Sequence, residues 1–466
     1  MPEALSIPVA WAIARRRTRE VGPAGPAANR PGPGRGWRPA GSMPTMATLI
    51  DTARPWWERP GLDAPNGRLR VAGDDLAPIA AAMGTPCFVY DLNRVAENAG
   101  RFAAALEASG IPCRVRFALK ANPFPEILAV LRGIGTPGSP GAIGIDACSP
   151  GEVTHALAHG WLPEEISFTG TNVSDRDLDV LLAAGPIRLN LDAISQVERV
   201  GRRAPGRAIG LRINPGAGAG YHPGLAYAGD RPTKFGIAPD RLDDALAAAR
   251  RHQLTITSLH FHAGSGWLAG GLAAFETALV RAVEVARLLL DAGSPIDEIN
   301  VGGGLGVPAR ADERAVPLEA YAALLARNVG PLGVTVACEP GDYLVKDSAV
   351  LLGEVVTVEV RGGTTFVGLD LGWNIDSMHF IYRYAQAIVP VVEPDAARTR
   401  TVTVAGHINE AGDLFAEDYP MAPVAEGDLA AILNAGGYAQ AMQSTHCLRP
   451  AAGAVFLTRP VDGVGR

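Results

Sequence analysis

From residue 112 to 338 the chain alternates short, β-rich apolar runs with Ala- and Leu-rich stretches of helical period. The runs are Cys113–Leu119, Ala142–Ala147, Glu165–Thr169, Ile187–Leu191, Ala208–Ile213, Ile256–Phe261, Glu298–Val301 and Val334–Cys338. Between them, segments near 125–133, 151–159, 174–184, 194–203, 240–252, 271–292 and 317–328 place apolar residues three and four apart, the spacing of one helix face. Ser174 ahead of an acidic turn reads as a helix cap, and Gly160 and Gly185 read as helix stops. Eight strands separated by helices predict a parallel sheet, closed as a (β/α)8 barrel or open and doubly wound. A span of about 225 residues for eight repeats matches the barrel.

After residue 340 the pattern changes. Ala349–Val360, Thr364–Leu369, Ala385–Val392, Thr401–Val404 and Asp428–Leu433 have little helix between them and predict a mostly β domain. Thr85–Tyr90 reads as a strand that joins the same sheet. The expected fold class is α/β: a TIM barrel with a mostly β C-terminal domain. The expected division is a disordered extension over 1–45, the barrel over 92–335, and a β domain made of 69–91 with 336–460.

Composition supports a folded chain. Hydrophobic residues make up 47% and charged residues 19% of the 466, which excludes disorder as the main state. The net charge of −6 gives no basic footprint for nucleic acid. Five scattered cysteines without Cys-x-x-Cys spacing argue against a disulfide framework or a zinc site and for a reducing cytoplasm. The apolar run Leu5–Ile13 has its arginines behind it, not in front, so it does not read as a signal peptide. Leu429–Leu448 carries too many polar residues for a membrane span. Only three of the 42 basic residues are lysines, Lys120, Lys234 and Lys346, so chemistry that needs a primary amine has three candidates.

In a barrel, chemistry gathers where the strands end. The first run ends in Lys120, expected to be desolvated, with a lowered pKa and a nucleophilic amine. The sixth ends in His260-Phe261-His262, whose alternation puts both imidazoles on one face. His262 reads as a stacking or hydrogen-bonding ring, and His260 as a satisfied core histidine. The pair lacks a third ligand for a metal. The seventh run ends in Gly302-Gly303-Gly304-Leu305-Gly306, where bare glycines let backbone N–H groups close on an anion or simply make a turn. The eighth ends in Glu339-Pro340-Gly341, a solvated carboxylate or the partner of a buried cation. An amine, an imidazole, a phosphate cradle and a carboxylate on one rim suit pyridoxal phosphate.

These stretches resemble the fold-type III pyridoxal-phosphate decarboxylases, the diaminopimelate and ornithine decarboxylase family. The similarity runs from about Thr85 to Leu457 and includes FALKANP (117–123), DACSPGE (146–152), LRIN (211–214), KFGI (234–237), His260–Gly266, Gly302–Gly306 and EPG (339–341). The resemblance implies an alanine-racemase-like barrel, a cytoplasmic enzyme acting on a small amino acid, and a head-to-tail homodimer with shared active sites. It implies that Lys120 carries the cofactor as a Schiff base, that His262 stacks on the ring and that Glu339 holds the ring nitrogen. Ser265, Gly302, Gly303, Gly304 and Tyr438 would bind the phosphate, and Arg212 would support the acidic partner. Lys234 reads as structural, and Lys346 has no motif behind it.

Departures from the family pattern bear on the substrate. The family's Cys-Glu-Ser-x-Asp segment, whose cysteine protonates the substrate carbon, reads GHINEAGD over 406–413. Asn409 replaces the cysteine, while Glu410 and Asp413 remain. An amide is no acid, so His407, water or Tyr438 would donate the proton, or the reaction does not end in ordinary protonation. Asp342 and Met378 stand where diaminopimelate enzymes carry arginines, with Arg383 nearby but shifted. Losing two carboxylate-binding positions argues against diaminopimelate. Asp342, Asp370 and Asp376 are candidates for an amine-bearing substrate. The expected function is decarboxylation of another amino acid. The alternatives are a racemase on the same fold and a non-catalytic cofactor-binding relative.

Overall fold

A computed structural model describes residues 55–135, 141–222 and 233–459. The extension over 1–45 lies outside the described residues.

The eight predicted runs form a closed parallel barrel. Its strands are Cys113–Ala118, Ile143–Ala147, Ile166–Phe168, Arg188–Leu191, Ala208–Arg212, Thr255–His260, Glu298–Asn300 and Thr335–Cys338, the last pairing back onto the first. The last strand runs past the boundary expected at 335, because Val336 and Cys338 continue its buried alternation. Each predicted helical segment is present. Ser174 and Asp177 close a capping box, with each side chain bonding to the other's backbone N–H. Gly160 and Gly185 take φ of +89° and +98° just beyond their helices, as a left-handed helix stop requires.

Two helices of eight or more residues, Leu76–Met83 and Leu92–Glu107, have no counterpart among the predicted segments. Leu92–Glu107, capped by Asp91, comes before the first strand and packs on the helices Pro125–Arg132 and Leu318–Val329. It fills the position between the last and first barrel repeats. Its signal was available: Val95, Ala99, Phe102 and Leu106 are buried at helical spacing.

Part of the barrel lumen is polar. Arg116 donates two 2.8 Å hydrogen bonds to Glu298, and both side chains are almost wholly buried. Asn190 bonds to Ser167, Thr169 and Ser258. A Cβ on Gly210 would stand 2.2 Å from the Asn190 side chain, so this layer closes only around glycine.

The β domain is an eight-stranded sheet built on the long strand Ala349–Arg361. That strand pairs antiparallel with Thr364–Leu369, with Leu429–Ile432 and with Cys87–Asp91. Cys87–Asp91 also takes Gly453–Leu457 as a parallel neighbour. This pairing ties the entry to the barrel to the sheet that follows it.

Candidate active site

Lys120 stands in a single turn, Leu119–Ala121, straight after the first barrel strand. Its side chain is 45% exposed at the barrel mouth, and Nζ lies 3.7 Å from Oδ2 of Asp146 at the end of the second strand. Burial opposes its charge, but Asp146, Cys148, Glu339 and Glu152 outweigh burial and raise its pKa. This corrects the expected lowering: the strand end supplies acids faster than it removes water. Asp146 itself is pushed up to about 7 by burial and by Glu339, against the pull of Lys120, His260 and Arg212. Its Oδ1 is buried without a hydrogen-bond partner. The DACSPGE motif braces this strand end. Ser149 Oγ accepts the Glu152 N–H at 3.1 Å, and Glu152 Oε2 accepts the Cys148 N–H at 2.7 Å.

Glu339 leaves the eighth strand with its carboxylate fixed from two sides. Oε2 lies 3.0 Å from His260 Nε2, and Oε1 accepts from Asn300 Nδ2 at 2.5 Å. Burial raises its pKa against Lys120, Asn300, Arg116 and Arg212. His260 is therefore more than a core histidine, since it aims the carboxylate. Asn300, missed from sequence, shares that task and also accepts the Gly302 N–H through Oδ1 at 3.0 Å. Arg212, level with His260 on the neighbouring strand, lies under the Phe235 ring and 3.8 Å from Asp192.

His262 Nε2 lies 3.3 Å from Ser265 Oγ, and its Nδ1 accepts the Gly303 N–H at 3.4 Å. Burial, with Lys120, Arg212 and His260 nearby, drives its pKa well down, so the ring is neutral at pH 7. The glycine run is forced: Gly302 has φ +68°, and a Cβ on Gly303 would stand 2.0 Å from the Glu339 carbonyl oxygen. Tyr438, at φ +64°, donates its backbone N–H to the Ala121 carbonyl at 2.8 Å. Its hydroxyl would lie 2.9 Å from a Cβ on Gly341. The turn after Lys120 and the turn after Glu339 thus meet at one tyrosine.

A family model for the pyridoxal-dependent decarboxylase, pyridoxal binding domain, matches residues 92–346. The chain belongs to the pyridoxal-dependent decarboxylases. Diaminopimelate decarboxylase of Methanothermobacter thermautotrophicus is 34% identical over 393 residues, covering 82% of this chain and 89% of that protein. The Zymomonas mobilis diaminopimelate decarboxylase is 33% identical, covering 84% and 92%. The crystal structure of diaminopimelate decarboxylase from Helicobacter pylori complexed with L-lysine superposes with a TM-score of 0.72 at 25% identity, covering 82% and 94%.

Pyridoxal phosphate is the decarboxylase's cofactor, and the residues present fit it. There is a glycine turn that no side chain can fill, a neutral imidazole beside it, a fixed carboxylate and one accessible lysine at the mouth. Lys234 is exposed beside the Phe235 ring. Lys346 is wholly buried and donates to Asp342 Oδ1 at 2.9 Å.

Other predicted residues do not join this group. The three aspartates expected to meet a substrate amine have partners inside the chain. Asp342 is neutralised by Lys346. Asp370 accepts from Thr85 Oγ1 and the Glu354 N–H, and Asp376 from the Met378 N–H and Gln386 Nε2. Asn409 and Glu410 are exposed at the tip of the 406–413 loop. Asp413 holds that loop, accepting from the Trp373 and Ile408 N–H groups. His407 is half-buried against Asn374 Oδ1, with its pKa lowered first by burial.

Proposed function

We propose that this decarboxylase acts on an amino acid other than diaminopimelate, one whose side chain carries no second carboxylate. The observation that carries this is the Asp342–Lys346 pair. Asp342 stands where the resemblance calls for a carboxylate-binding arginine, and Lys346 only cancels its charge. Met378, at the second such position, is wholly buried in an apolar cluster with Ala309 and Tyr384.

Bound pyridoxal phosphate supplies an aldehyde that takes up a primary amine and a ring that draws off the electron pair left when a carboxylate departs. Lys120 Nζ would be the amine that holds it, and Glu339, aimed by His260 and Asn300, would keep a proton at the ring nitrogen. His262, a neutral ring, would face the cofactor without adding positive charge. Ser265, the Gly302–Gly304 turn and Tyr438 would hold the phosphate, with Arg212 balancing the acids beneath. Lys120 Nζ, which the surrounding acids keep protonated when it is a free amine, would be the proton donor. His407 is weakened as a donor by burial, which lowers its pKa.

The working unit in this reading is a head-to-tail homodimer in the cytoplasm, with no nucleic-acid partner. The exposure of Asn409 and Glu410 supports a role for that loop at the second copy's barrel mouth. None of the five cysteines is in a disulfide, and no helix among the described residues is long and apolar enough to cross a membrane.

The test is carbon dioxide release across an amino-acid panel that includes diaminopimelate, with Lys120→Ala as the blank and Asn409→Cys in parallel. The expected result is turnover of another amino acid with kcat/KM at least about tenfold above diaminopimelate, a factor of ten being about 1.4 kcal/mol of discrimination. Diaminopimelate as the best substrate overturns the reading.

A further inference from the structure

Lys346 is a buried cation with no part in the chemistry described above. It follows the short helix Asp342–Val345, its side chain has no solvent exposure, and its ammonium donates to Asp342 Oδ1 at 2.9 Å. Three tyrosine rings surround the ammonium, with Tyr384 at 4.6 Å, Tyr221 at 5.4 Å and Tyr438 at 5.8 Å to the ring centres. Desolvating two charges costs several kcal/mol unless geometry and further contacts offset it, and cation–π contacts are such an offset.

The surroundings show what this pair braces. The Lys346 carbonyl accepts the Gly436 N–H at 2.9 Å. A Cβ on Gly437 would stand 2.9 Å from Asp342 Oδ1 and 3.5 Å from Lys346 Cα. The Gly436-Gly437 run is therefore laid directly on the ion pair, and it delivers Tyr438 in a left-handed conformation that a bulky side chain avoids. Tyr384 extends the cage to the glycine turn, because its hydroxyl donates to the Val307 carbonyl at 3.3 Å. One ammonium thus connects the chain after Lys120, the chain after Glu339 and the loop after Gly306.

We propose that Lys346, paired with Asp342, is a positioning residue that seats Tyr438 against Ala121 and Gly341 and so sets how tightly the cofactor's phosphate is held. The proposal rests on the reading of Tyr438 as a phosphate ligand. Without the ammonium, Asp342 is a buried unpaired carboxylate beneath Gly437, and the strained tyrosine loses both its floor and the charge under its ring. Lys346→Met keeps the length of the side chain and removes the charge. Adding Asp342→Asn removes the carboxylate that this substitution would strand.

The experiment titrates apoenzyme with pyridoxal phosphate and with pyridoxal, which lacks the phosphate, and follows cofactor absorbance alongside the melting temperature of the apoenzyme. The expected result for Lys346→Met, and for the double variant if the single one folds poorly, is at least tenfold weaker binding of pyridoxal phosphate with pyridoxal unchanged. In a Tyr438→Phe background the same substitution adds little, because both act through one contact. Equal loss of pyridoxal and pyridoxal phosphate, or a lower melting temperature with unchanged binding, overturns the proposal and leaves a purely structural pair. If Tyr438→Phe itself leaves pyridoxal phosphate binding unchanged, the phosphate reading of Tyr438 falls first. If Tyr438→Phe weakens binding and Lys346→Met does not, only the inference about Lys346 falls.

Discussion

Replacing Asp146 by Asn removes the carboxylate closest to the lysine at the barrel mouth and leaves the shape of the strand end intact. At 3.7 Å a unit charge pair is worth about 4 kcal/mol in the effective dielectric near a protein surface. Solvent reaches the half-exposed Lys120 side chain and removes roughly half of that. About 2 kcal/mol remains, and at about 1.4 kcal/mol per pH unit this lowers the Lys120 pKa by roughly 1.5 units. The scarcity of lysines makes the measurement clean. Apoenzyme is labelled with a trace of acetic anhydride across the alkaline range, and the lysine peptides are quantified by mass. Lys234 is exposed and serves as an internal standard, while Lys346 has no exposure and stays unlabelled while the protein is folded. The labelling midpoint of Lys120 should lie above that of Lys234 in the parent chain and fall in Asp146→Asn. A midpoint that is unchanged or rises would falsify the assignment of Asp146 as the main counter-charge and shift that role to Glu339 and Glu152.

The same residue predicts a pH dependence. Asp146 has a folded pKa of about 7 against roughly 3.9 unfolded, so its protonated form favours folding below pH 4. Stability is then lost as pH rises toward 7, by up to about 4 kcal/mol. Urea unfolding of apoenzyme should show this slope, and Asp146→Asn should flatten it. Arg116→Leu strands Glu298 in the barrel and should cost about 3–5 kcal/mol, whereas adding Glu298→Leu should recover most of the loss. A double variant no more stable than the single one argues against that pairing. Glu298 is held below its usual pKa by Arg116 against burial, so the pair's contribution is present above about pH 4.3 and lost as pH falls through the lowered folded value. Glu339→Gln should reduce carbon dioxide release by roughly a hundredfold or more, while borohydride still traps cofactor on Lys120. Trapping on another lysine contradicts the site. Gly303→Ala drives a Cβ into the Glu339 carbonyl and should weaken cofactor binding at least about tenfold, read by absorbance titration; near-normal binding would mean that the turn is not the cradle.

The barrel was legible because each strand is a short apolar run that ends in a change of composition, and the period between runs is helical. Lys120, His262 and Glu339 could be found because a barrel exposes chemistry at strand ends. What escaped the sequence depends on side chains meeting across elements. The Arg116–Glu298 pair joins residues 182 apart, and neither strand alone marks them as partners. His260 and Asn300 converge on Glu339 from two strands, so a reading of His260 by itself gives only a core imidazole. Leu414–Met421 reads FAEDYPM after its leucine, too polar for a buried-strand pattern, because it pairs on only one side of the sheet, with Arg400–Ala405. The Lys120 pKa went the wrong way because desolvation is visible as an apolar run, whereas the three opposing carboxylates come from residues 146, 152 and 339.

Charge bookkeeping around residue 342 separates two explanations of the altered motif. Read position by position, an aspartate in place of an arginine inverts the charge and invites a cationic substrate. The short helix brings residue 346 back to residue 342, four positions on, and the lysine there removes that inversion. On the proposed reading, the site has lost a cation at residue 342 without gaining an anion, and Met378, at the second such position, lies in an apolar cluster. For a substrate bearing an amine, Asp342, Asp370 and Asp376 are the candidate acids, and each already accepts a hydrogen bond from a partner within the chain. A substrate bearing a distal carboxylate would need a cation, and Lys346 is buried beneath three tyrosines. On the proposed reading, a distal carboxylate loses its anchor at these positions. Restoring one cation by Asp342→Arg would also bring two positive charges together with Lys346, so a change of specificity toward a dicarboxylate requires Lys346→Met in the same chain. A single Asp342→Arg variant that gained such a substrate would show that the ion pair does not set the character of the pocket.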